Sequence, residues 1–483
     1  MRVERGTSSP TSLTVDALVV PSGGSVRVEA KGQARYWTIQ QGKVIVGRTL
    51  PELLASMPDP RLSPGALAAM AGSRASIWLS PFQDVHRLTF GHELRVTPSG
   101  PRISRWLRTE TTPEMQGEPA EVMREAIRRS IEEATRGHAG ATFALSGGLD
   151  STTLLALAAR DDVLRTDLRA YCAVPDPQSA VHVRGRLTDE WPYASSVAAA
   201  SGVNVQRLVN AGADWLDSAD DFHARNLMPI LVPANLWWLR QLEHEAVRHG
   251  HRIILTGQSG NATFSNGRPQ APPPLLPDGT WQVDTSTRQV VRTLRNALRR
   301  SPPSPVRPGL PVQIPDHVLD MEPWIRWCLV EPPAGAHGPW TGADVEWLDP
   351  LGSAQVIRAA MSLPAQAWGG RGSDRALARQ VARDHVPDHV RLSGVRGIQG
   401  ADMPGMLLAH ADSYVEAVDR VRQSPSAREF LDTDVLARSL SLLRGDLRSA
   451  RVFQHHSLKP LAVGLFAAWW DSTSARAARS SNG

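Results

Sequence analysis

The spacing of apolar residues divides the chain into a first part with the period of β-strands and a later part in which strands alternate with helices. Within residues 12–108, apolar residues recur at every second position in short runs, for example at 26–28 and 34–39. A turn rich in proline and glycine at 98–101 separates two further runs and predicts a hairpin. The first part is therefore predicted to be mostly β.

The period changes near residue 119. Residues 119–136 have the pattern of an amphipathic helix, with Glu125 four residues before Arg129 on its polar side and Gly137 as its stop. The predicted apolar face comprises Val122, Ala126, Ile127 and Ile131.

Short apolar strands then follow, each separated from the next by a helical tract, and are predicted at 143–145, 168–174, 203–209 and 252–256. Strands that alternate with helices form a parallel, doubly wound sheet, and such sheets bind ligands at the carboxyl ends of their strands. Val174, at the end of the second strand, is therefore expected near a bound nucleotide. Trp237 and Trp238, which are neighbours in the sequence, are expected to pack in the core. From residue 316 the chain is predicted to be chiefly helical, up to a final helix at 458–470.

Length and composition fit a globular protein of two to three domains, since the chain has 483 residues and domains average about 150. The net charge of +5 is modest and comes almost entirely from arginine, so we expect no nucleic-acid partner. Cys172 and Cys328 are too few for a disulfide framework, and no segment is apolar enough over a sufficient length to span a bilayer. We expect a cytoplasmic protein without a membrane partner, in which both cysteines are buried.

The first chemical signal is the sequence Ser-Gly-Gly-Leu-Asp-Ser at residues 146–151, which we call the serine loop. It lies between a predicted strand and a predicted helix. Gly147 and Gly148 would let an anion approach the backbone amides at the positive end of the helix, while Ser146 and Ser151 add hydroxyl groups. Asp150 adds a carboxylate where a nucleotide's Mg²⁺ would be held.

The serine loop resembles the pyrophosphate loop of N-type ATP pyrophosphatases, which form an adenylate and release pyrophosphate. It lacks the Gly-Lys-Ser/Thr ending of a Walker A motif. The resemblance implies ATP and Mg²⁺ as cofactors.

A second loop at residues 257–261, the glycine loop, follows the strand at 252–256. After the serine loop, it resembles the Gly-x-Gly-x-Asp signature of asparagine synthetases. The resemblance makes Gly257 and Gln258 nucleotide-binding residues and puts Asn261 in the position of a metal-binding aspartate. Gln258 stands where the family carries an acidic or phenolic group, so the sequence leaves the general base open, with Glu190 as one candidate.

The first part also resembles part of a known domain, because residues 81–92 are similar to the end of the amidotransferase domain of asparagine synthetases. Such domains hydrolyse glutamine with a cysteine exposed after removal of Met1, and here the second residue is Arg2. We therefore expect residues 1–115 to be a degenerate amidotransferase-like β domain that makes no ammonia.

Residues 396–402, which we call the arginine segment, carry the most specific signal. Asparagine and β-lactam synthetases have a lysine-rich loop here, but no lysine lies between Lys43 and Lys459 in this chain. The pattern Arg-Gly-x-Gln-x-Ala-Asp resembles lasso-peptide macrolactam synthetases, which close the ring of threaded peptides. The resemblance implies catalytic roles for Arg396, Gln399 and Asp402.

The sequence thus predicts an α/β protein with a degenerate β domain followed by an ATP-pyrophosphatase domain over residues 116–483. The latter is predicted to contain a mobile proline-rich insertion at 266–315. The expected activity is ATP-dependent closure of a core peptide, with leader-recognition and leader-peptidase proteins as partners. Two alternatives stay open: a β-lactam or ammonia-dependent asparagine synthetase, and a non-catalytic peptide scaffold with a degenerate nucleotide site.

Overall fold

The fold is taken from a computed structural model. It describes residues 17–28, 35–72, 79–107, 117–160, 167–210, 212, 214–265, 303–312, 340–369, 375–398 and 400–480. Several predicted features fall outside these ranges, namely Arg2, Cys328, Gln399 and most of the insertion at 266–315.

The first part is β, as predicted, and forms two antiparallel sheets. Its strands are β1 Leu18–Val20, β2 Ser25–Arg27, β3 Arg35–Gln40, β4 Lys43–Gly47, β5 His86–Leu88, β6 His92–Thr97 and β7 Gly100–Arg105. One sheet has the order β1-β4-β3-β5 and the other β2-β6-β7. Two helices, α1 Leu50–Leu54 and α2 Pro64–Gly72, lie between β4 and β5. The predicted hairpin is β6–β7, where Thr97 pairs with Gly100, whose φ of 110° closes a two-residue turn.

The helix predicted at 119–136 is α3 Pro119–Thr135. The Arg129 Nε lies 2.7 Å from Glu125 Oε1, so the predicted pair forms. The predicted apolar face packs on the core, and the buried face also includes Met123. Met123 is buried beside Ile127 and Ile131, whereas Val122 and Ala126 are only partly buried.

A five-stranded parallel sheet follows. The elements from 140 to 265 are β8 Gly140–Ala144, α4 Leu149–Arg160, β9 Asp167–Val174, β10 Arg186–Leu187, α5 Trp191–Ala200, β11 Asn204–Val209, α6 Ala219–Asn226, α7 Leu236–Arg248 and β12 Ile253–Leu255. With β13 Glu346–Leu348, the sheet order is β11-β9-β8-β12-β13, and every neighbouring pair is parallel. Later strands therefore lie on both sides of β8, so the sheet is doubly wound, as predicted. Its topological switch point falls between β8 and β12, where such sheets place their ligands.

The described part of the chain beyond β13 is mainly helical. The elements are α8 Ala354–Ser362, α9 Ala376–Val381, α10 Asp388–Arg391, β14 Arg396–Gly397, α11 Met403–Ala409, α12 Ala411–Gln423, α13 Pro425–Phe430, α14 Thr433–Ser439, α15 Leu447–His456 and α16 Leu458–Ser480. No helix among the described residues is both long enough and apolar enough to cross a bilayer.

The β-rich first part of the chain packs against these C-terminal helices. The Phe82 ring lies with its centroid 4.9 Å from that of Trp470 and 6.2 Å from that of Phe466, both in edge-on geometry. Phe82 and Phe466 belong to one hydrophobic core, which continues from the first part of the chain through the parallel sheet to α16, and the partly buried Trp470 packs against it.

Candidate functional site

The serine loop connects β8 to α4 at the switch point and is held by its own two hydroxyl groups. Ser146 Oγ and Ser151 Oγ lie 2.9 Å apart, and the Ser146 backbone N–H donates to Ser151 Oγ at 3.1 Å. The Gly148 N–H donates to Ser146 Oγ at 3.1 Å. The loop is therefore ordered by internal hydrogen bonds, and α4 directs its N-terminal turn toward the same edge of the sheet.

The packing of the protein around Gly147 leaves no room for a side chain, even without a ligand. A Cβ at this position would lie 2.9 Å from the Glu190 carbonyl oxygen and 3.0 Å from Tyr193 Cβ. A Cβ on Gly148 would have the Ser146 Oγ as its nearest neighbour, at 3.1 Å. The sequence reasoning attributed both glycines to the approach of a ligand, but at Gly147 the start of α5 already excludes a side chain.

The glycine loop packs directly on the serine loop. A Cβ on Gly260 would lie 2.5 Å from Asp150 Cγ, and one on Gly257 would lie 2.9 Å from the Ser151 backbone nitrogen. Both glycines are buried, because backbone approaches backbone here. The two loops predicted separately from the sequence thus meet at the switch point, with the Asp150 carboxylate between them.

Asp349 holds the glycine loop in this position. It follows β13 and is 5% exposed. Its Oδ2 accepts a hydrogen bond from the Ser259 N–H at 2.9 Å and another from the Ser259 hydroxyl. Asp349 was not among the site residues predicted from the sequence.

Asn261 and Gln258 lie in the glycine loop and make local hydrogen bonds. Asn261 begins a π-helical turn, Asn261–Ser265, and its Oδ1 accepts from Ser265 Oγ at 3.4 Å. Gln258 is partly exposed, and its backbone N–H donates to Thr256 Oγ1 at 3.4 Å. Within the described part of the chain, no group of three or more His, Cys, Asp or Glu side chains could hold a metal ion. Mg²⁺ is commonly held by one or two carboxylates together with substrate phosphates, so the metal roles of Asp150 and Asn261 stay predictions.

A cavity of about 150 Å³ opens beside the serine loop at the carboxyl ends of β8 and β9. Its wall contains four of the predicted site residues, namely Ser146, Val174, Glu190 and Asp402. The other lining residues are Ala144, Leu145, Tyr171, Ala173, Pro175, Thr188, Leu208, Ala234, Asn235, Trp237, Trp238, Leu242, Ile398, Gly400 and Ala401. Most of these were not predicted from the sequence, because they come from six separate stretches of chain.

Trp237 and Trp238 modify the expectation that they pack only in the core. Trp237 is buried and Trp238 is partly buried, and both also line the cavity from the first turn of α7. The available sequence signal was their position at the start of the helix that leads into β12. This signal was not sufficient by itself, since only certain connections place the start of a helix at the ligand-binding edge of the sheet.

Glu190 lies between the serine loop and the arginine segment. Its backbone and Cβ face Gly147, and a Cβ on Gly397 would collide with its carboxylate oxygen Oε1. The structure shows no hydrogen bond or ion pair to this carboxylate from the described residues. Desolvation raises the pKa of Glu190 to about 7, and the neighbouring negative charge of Asp189 adds to the shift.

The arginine segment docks on the chain that precedes Glu190. β14 pairs with β10 in parallel, so that Gly397 stands opposite Leu187. Beyond this pair, the Ile398 N–H donates to the Leu187 carbonyl at 3.0 Å, and the Val181 N–H donates to the Ala401 carbonyl at 2.8 Å. Residues far apart in sequence are therefore fixed together as one wall of the cavity.

Asp402 ends this segment and is 2% exposed. Its Oδ2 accepts from the Asp176 backbone N–H at 3.5 Å, just beyond β9. Burial raises the pKa of the Asp402 carboxyl, although the hydrogen bonds from its own and the Asp176 backbone N–H groups oppose the shift. Asp402 thus lines the cavity, and its catalytic role stays a prediction.

Arg396 is exposed and is not among the residues that line the cavity, although its neighbour Gly397 touches Glu190. Gln399 lies outside the described residues. The structure therefore brings together the serine loop, the glycine loop, Glu190 and Asp402, and leaves the predicted role of Arg396 as a prediction.

Comparison with protein families gives one match. Residues 122–308 match the family model for asparagine synthase, so this segment is similar to that family. The matched segment contains both loops and Glu190 but ends before the arginine segment. A comparison with curated proteins found no significant match.

Two solved structures are similar to parts of the chain. The NH3-dependent NAD synthetase from Campylobacter jejuni has 15% identity and a TM-score of 0.21, and the match covers 31% of this chain and 61% of that protein. The NMN synthetase from Francisella tularensis has 15% identity and a TM-score of 0.22, and the match covers 58% of this chain and 97% of that protein. The chain thus spans about three fifths of the length of the first of these proteins.

Proposed function

We propose that the protein is an ATP-dependent lasso peptide cyclase. It would adenylate the side-chain carboxylate of an Asp or Glu in a core peptide freed of its leader. The peptide's N-terminal amine would then close a macrolactam ring, with release of AMP and pyrophosphate. The observation that carries the proposal is the serine loop at the switch point beside a cavity whose wall includes the arginine segment. The asparagine synthase match supports ATP-dependent amide formation in general.

The chemistry needs activation because a carboxylate is already anionic and has no good leaving group. Attack of a carboxylate oxygen on the α-phosphorus forms an acyl adenylate and expels pyrophosphate. The amides of the serine loop at the N-terminus of α4 would bind the departing phosphates. Mg²⁺, when bound, would neutralise phosphate charge, and Asp150 is the residue that would hold it. Arg396 would offset charge as the carboxylate attacks, if it turns inward from its exposed position.

Glu190 would accept a proton from the amine. An N-terminal ammonium group has a pKa of about 7.7–8.0, close to that of Glu190 at about 7. Transfer from the ammonium nitrogen to the carboxylate is therefore nearly balanced in free energy. The neutral amine can then form the C–N bond while the C–O bond to AMP breaks. The electron pair leaves with the AMP phosphate, and the second N–H proton passes to water.

The proposed partners are a core peptide and the leader-recognition and leader-peptidase proteins of the same pathway, in a cytoplasmic setting. The alternative is another amide-forming ligase of the β-lactam synthetase or ammonia-dependent asparagine synthetase kind. The asparagine synthase match supports this alternative equally, and only the identity of the acceptor separates it from the cyclase.

Replacement of Asp150 tests the nucleotide part of the proposal. Asp150→Ala should abolish AMP and pyrophosphate release while the circular dichroism spectrum stays unchanged. Asp412→Ala, on the exposed face of α12, is the control that removes the same charge far from the loops. Release of AMP by Asp150→Ala at a rate close to that of Asp412→Ala would remove Asp150 from the site.

A further inference from the structure

Two short strands carry arginines side by side next to the site. β10 and β14 pair in parallel, and Arg186 stands directly opposite Arg396. Both arginines are exposed, whereas the next pair, Leu187 and Gly397, is partly buried. Like charges that stand directly opposite each other on neighbouring strands repel, so an anionic ligand on this pair would relieve the repulsion.

A third arginine lies at the corner of the turn that leads into β10. The Arg186 N–H donates to the Val183 carbonyl at 3.0 Å, and Gly185 has a φ of 76° at the position where a type II turn requires a positive value. Arg184 occupies the preceding position of this turn and is exposed. The side chains of Arg184 and Arg186 make no hydrogen bond or ion pair with the described residues.

These arginines adjoin the cavity beside the serine loop without lining it. Thr188 and Glu190 follow β10, Ile398 follows β14, and all three line the cavity. The described residues of the cavity wall include no lysine, arginine or histidine. Cationic side chains that meet an anionic peptide on its way to the serine loop are therefore supplied from outside the wall, by the turn and the strand pair.

Exposed aliphatic side chains accompany the arginines. Leu392 is 50% exposed and Val395 is 41% exposed, in the stretch that leads into β14. A site for single-stranded nucleic acid usually combines cationic residues with aromatic rings on which bases stack, whereas the exposed apolar residues here are aliphatic. Acidic side chains next to aliphatic ones are the complement of this surface, and a peptide carries both.

We propose that this surface, which comprises residues 183–187 and 392–397 and which we call the basic ribbon, docks an acidic segment of the peptide substrate. The proposal rests on the proposed function, because it names where the peptide of that reaction binds outside the cavity. Carboxylates of the segment lie on Arg184, Arg186 and Arg396, and its apolar side chains lie on Leu392 and Val395. Docking there holds the peptide beside the serine loop before the reaction begins.

The test uses two short peptides that differ only in charge. In the acidic probe glutamates alternate with leucines, and in the neutral probe glutamines replace the glutamates. Binding of each to the full-length protein without ATP is measured by fluorescence anisotropy, with an uncharged dye on the peptide. The acidic probe should bind about tenfold more tightly, because several exposed ion pairs form together. Salt at about 1 M should remove most of this difference, since it screens exposed charges.

Variants that remove charge then locate the binding. Arg184→Gln combined with Arg186→Gln should weaken binding of the acidic probe about threefold to tenfold and leave the neutral probe unchanged. Both side chains are exposed, so the double variant should fold. Arg102→Gln combined with Arg358→Gln is the matched control, since these arginines are also exposed, lie on β7 and α8, and make no ion pair with the described residues. Arg396 is kept in every variant because it has a proposed role in the chemistry.

Three results would overturn the proposal: equal binding of the two probes, equal binding of the acidic probe by the two double variants, or displacement of the acidic probe by MgATP, which would assign the arginines to the nucleotide. Tighter binding of a single-stranded oligonucleotide that is lost in the Arg184 and Arg186 variant would assign the basic ribbon to nucleic acid instead. These outcomes are independent of the proposed function, which is measured by AMP formation with a peptide. Selective binding of the acidic probe without AMP formation from any peptide would keep the docking surface and reject the cyclase.

Discussion

Glu243 offers a quantitative test of how the site is held together. It lies in α7, is 0% exposed, and its carboxylate accepts four hydrogen bonds. Oε1 accepts from the Trp340 N–H at 3.0 Å and from Trp347 Nε1 at 2.7 Å. Oε2 accepts from the Thr341 N–H and the Thr341 hydroxyl, both at 2.7 Å. Glu243 thus ties the helix that carries the cavity tryptophans to the strand that precedes Asp349.

Replacement by glutamine removes one acceptor oxygen from this cluster. If the amide nitrogen takes the place of Oε2, the Thr341 hydroxyl can turn and accept, but the Thr341 N–H loses its partner. If it takes the place of Oε1, two N–H donors lose theirs. The first arrangement costs less, at about 2–4 kcal/mol for one lost charge-assisted bond and the weakening of the others. Burial of the Glu243 carboxylate is itself unfavourable and raises the pKa of Glu243. Because glutamine carries no charge, its substitution removes this penalty and reduces the cost.

The assay is urea denaturation combined with amide hydrogen exchange. Glu243→Gln should lower the transition midpoint and speed exchange at residues 340–341, while exchange in β8 changes little. Glu346→Gln is the control, because Glu346 is exposed on β13 and the same charge is removed. Its effect should stay within about 0.5 kcal/mol. If the two variants have equal midpoints and equal exchange at 340–341, the buried tie does not stabilise the site as argued.

Three further predictions concern the residues around the two loops. Desolvation raises the pKa of Glu190 from 4.5 to about 7, so the folded state favours the protonated form. The stability contributed by this proton is fully present below about pH 4.5 and is lost as the pH rises through about 7. Across this window, the melting temperature of Glu190→Gln should therefore rise relative to that of the unsubstituted protein. Parallel curves of melting temperature against pH for the two proteins would contradict the burial argument. Gly397→Ala should slow product formation about tenfold to a hundredfold, because its Cβ would displace the Glu190 carboxylate. Gly394→Ala is the control and should not slow it, since a Cβ there meets open space. Equal rates of product formation in the two variants would refute the contact. Asp349→Asn should speed amide exchange at residues 257–261, because a bond to a charged acceptor contributes about 1.5–3 kcal/mol; exchange at the rate of the unsubstituted protein would show that Ser259 does not depend on Asp349.

Much of the fold follows from local patterns in the sequence. Each predicted strand of the parallel sheet is present, because a short apolar run that is followed by a helical period leaves few other arrangements. The serine loop was also found, since its residue types are dictated by a local strand–loop–helix geometry. At α3 the predicted Ile127 and Ile131 are buried and Val122 packs against the core, but the buried Met123 was not predicted, so the sequence pattern did not give the full width of the buried face.

The cavity could not be predicted in the same way. Glu190 and Gly397 are neighbours only because β10 pairs with β14, and a two-residue strand has no periodic signal. The carboxylate of Asp349 reaches Ser259 across ninety residues of sequence separation. Trp237 and Trp238 have the composition of core residues, and their place on the cavity wall depends on how α7 lies over the sheet.

The central claim is that ATP is split to AMP so that a peptide can cyclise on itself. The most direct measurement supplies a leader-free core peptide with ATP and Mg²⁺, and follows the peptide by mass spectrometry and the nucleotide by chromatography. If this claim is correct, the peptide loses one water in step with the appearance of one AMP and one pyrophosphate. The same peptide with an acetylated N-terminus should remain linear. Ring closure with release of ADP, or AMP formation without loss of water from the peptide, would contradict it.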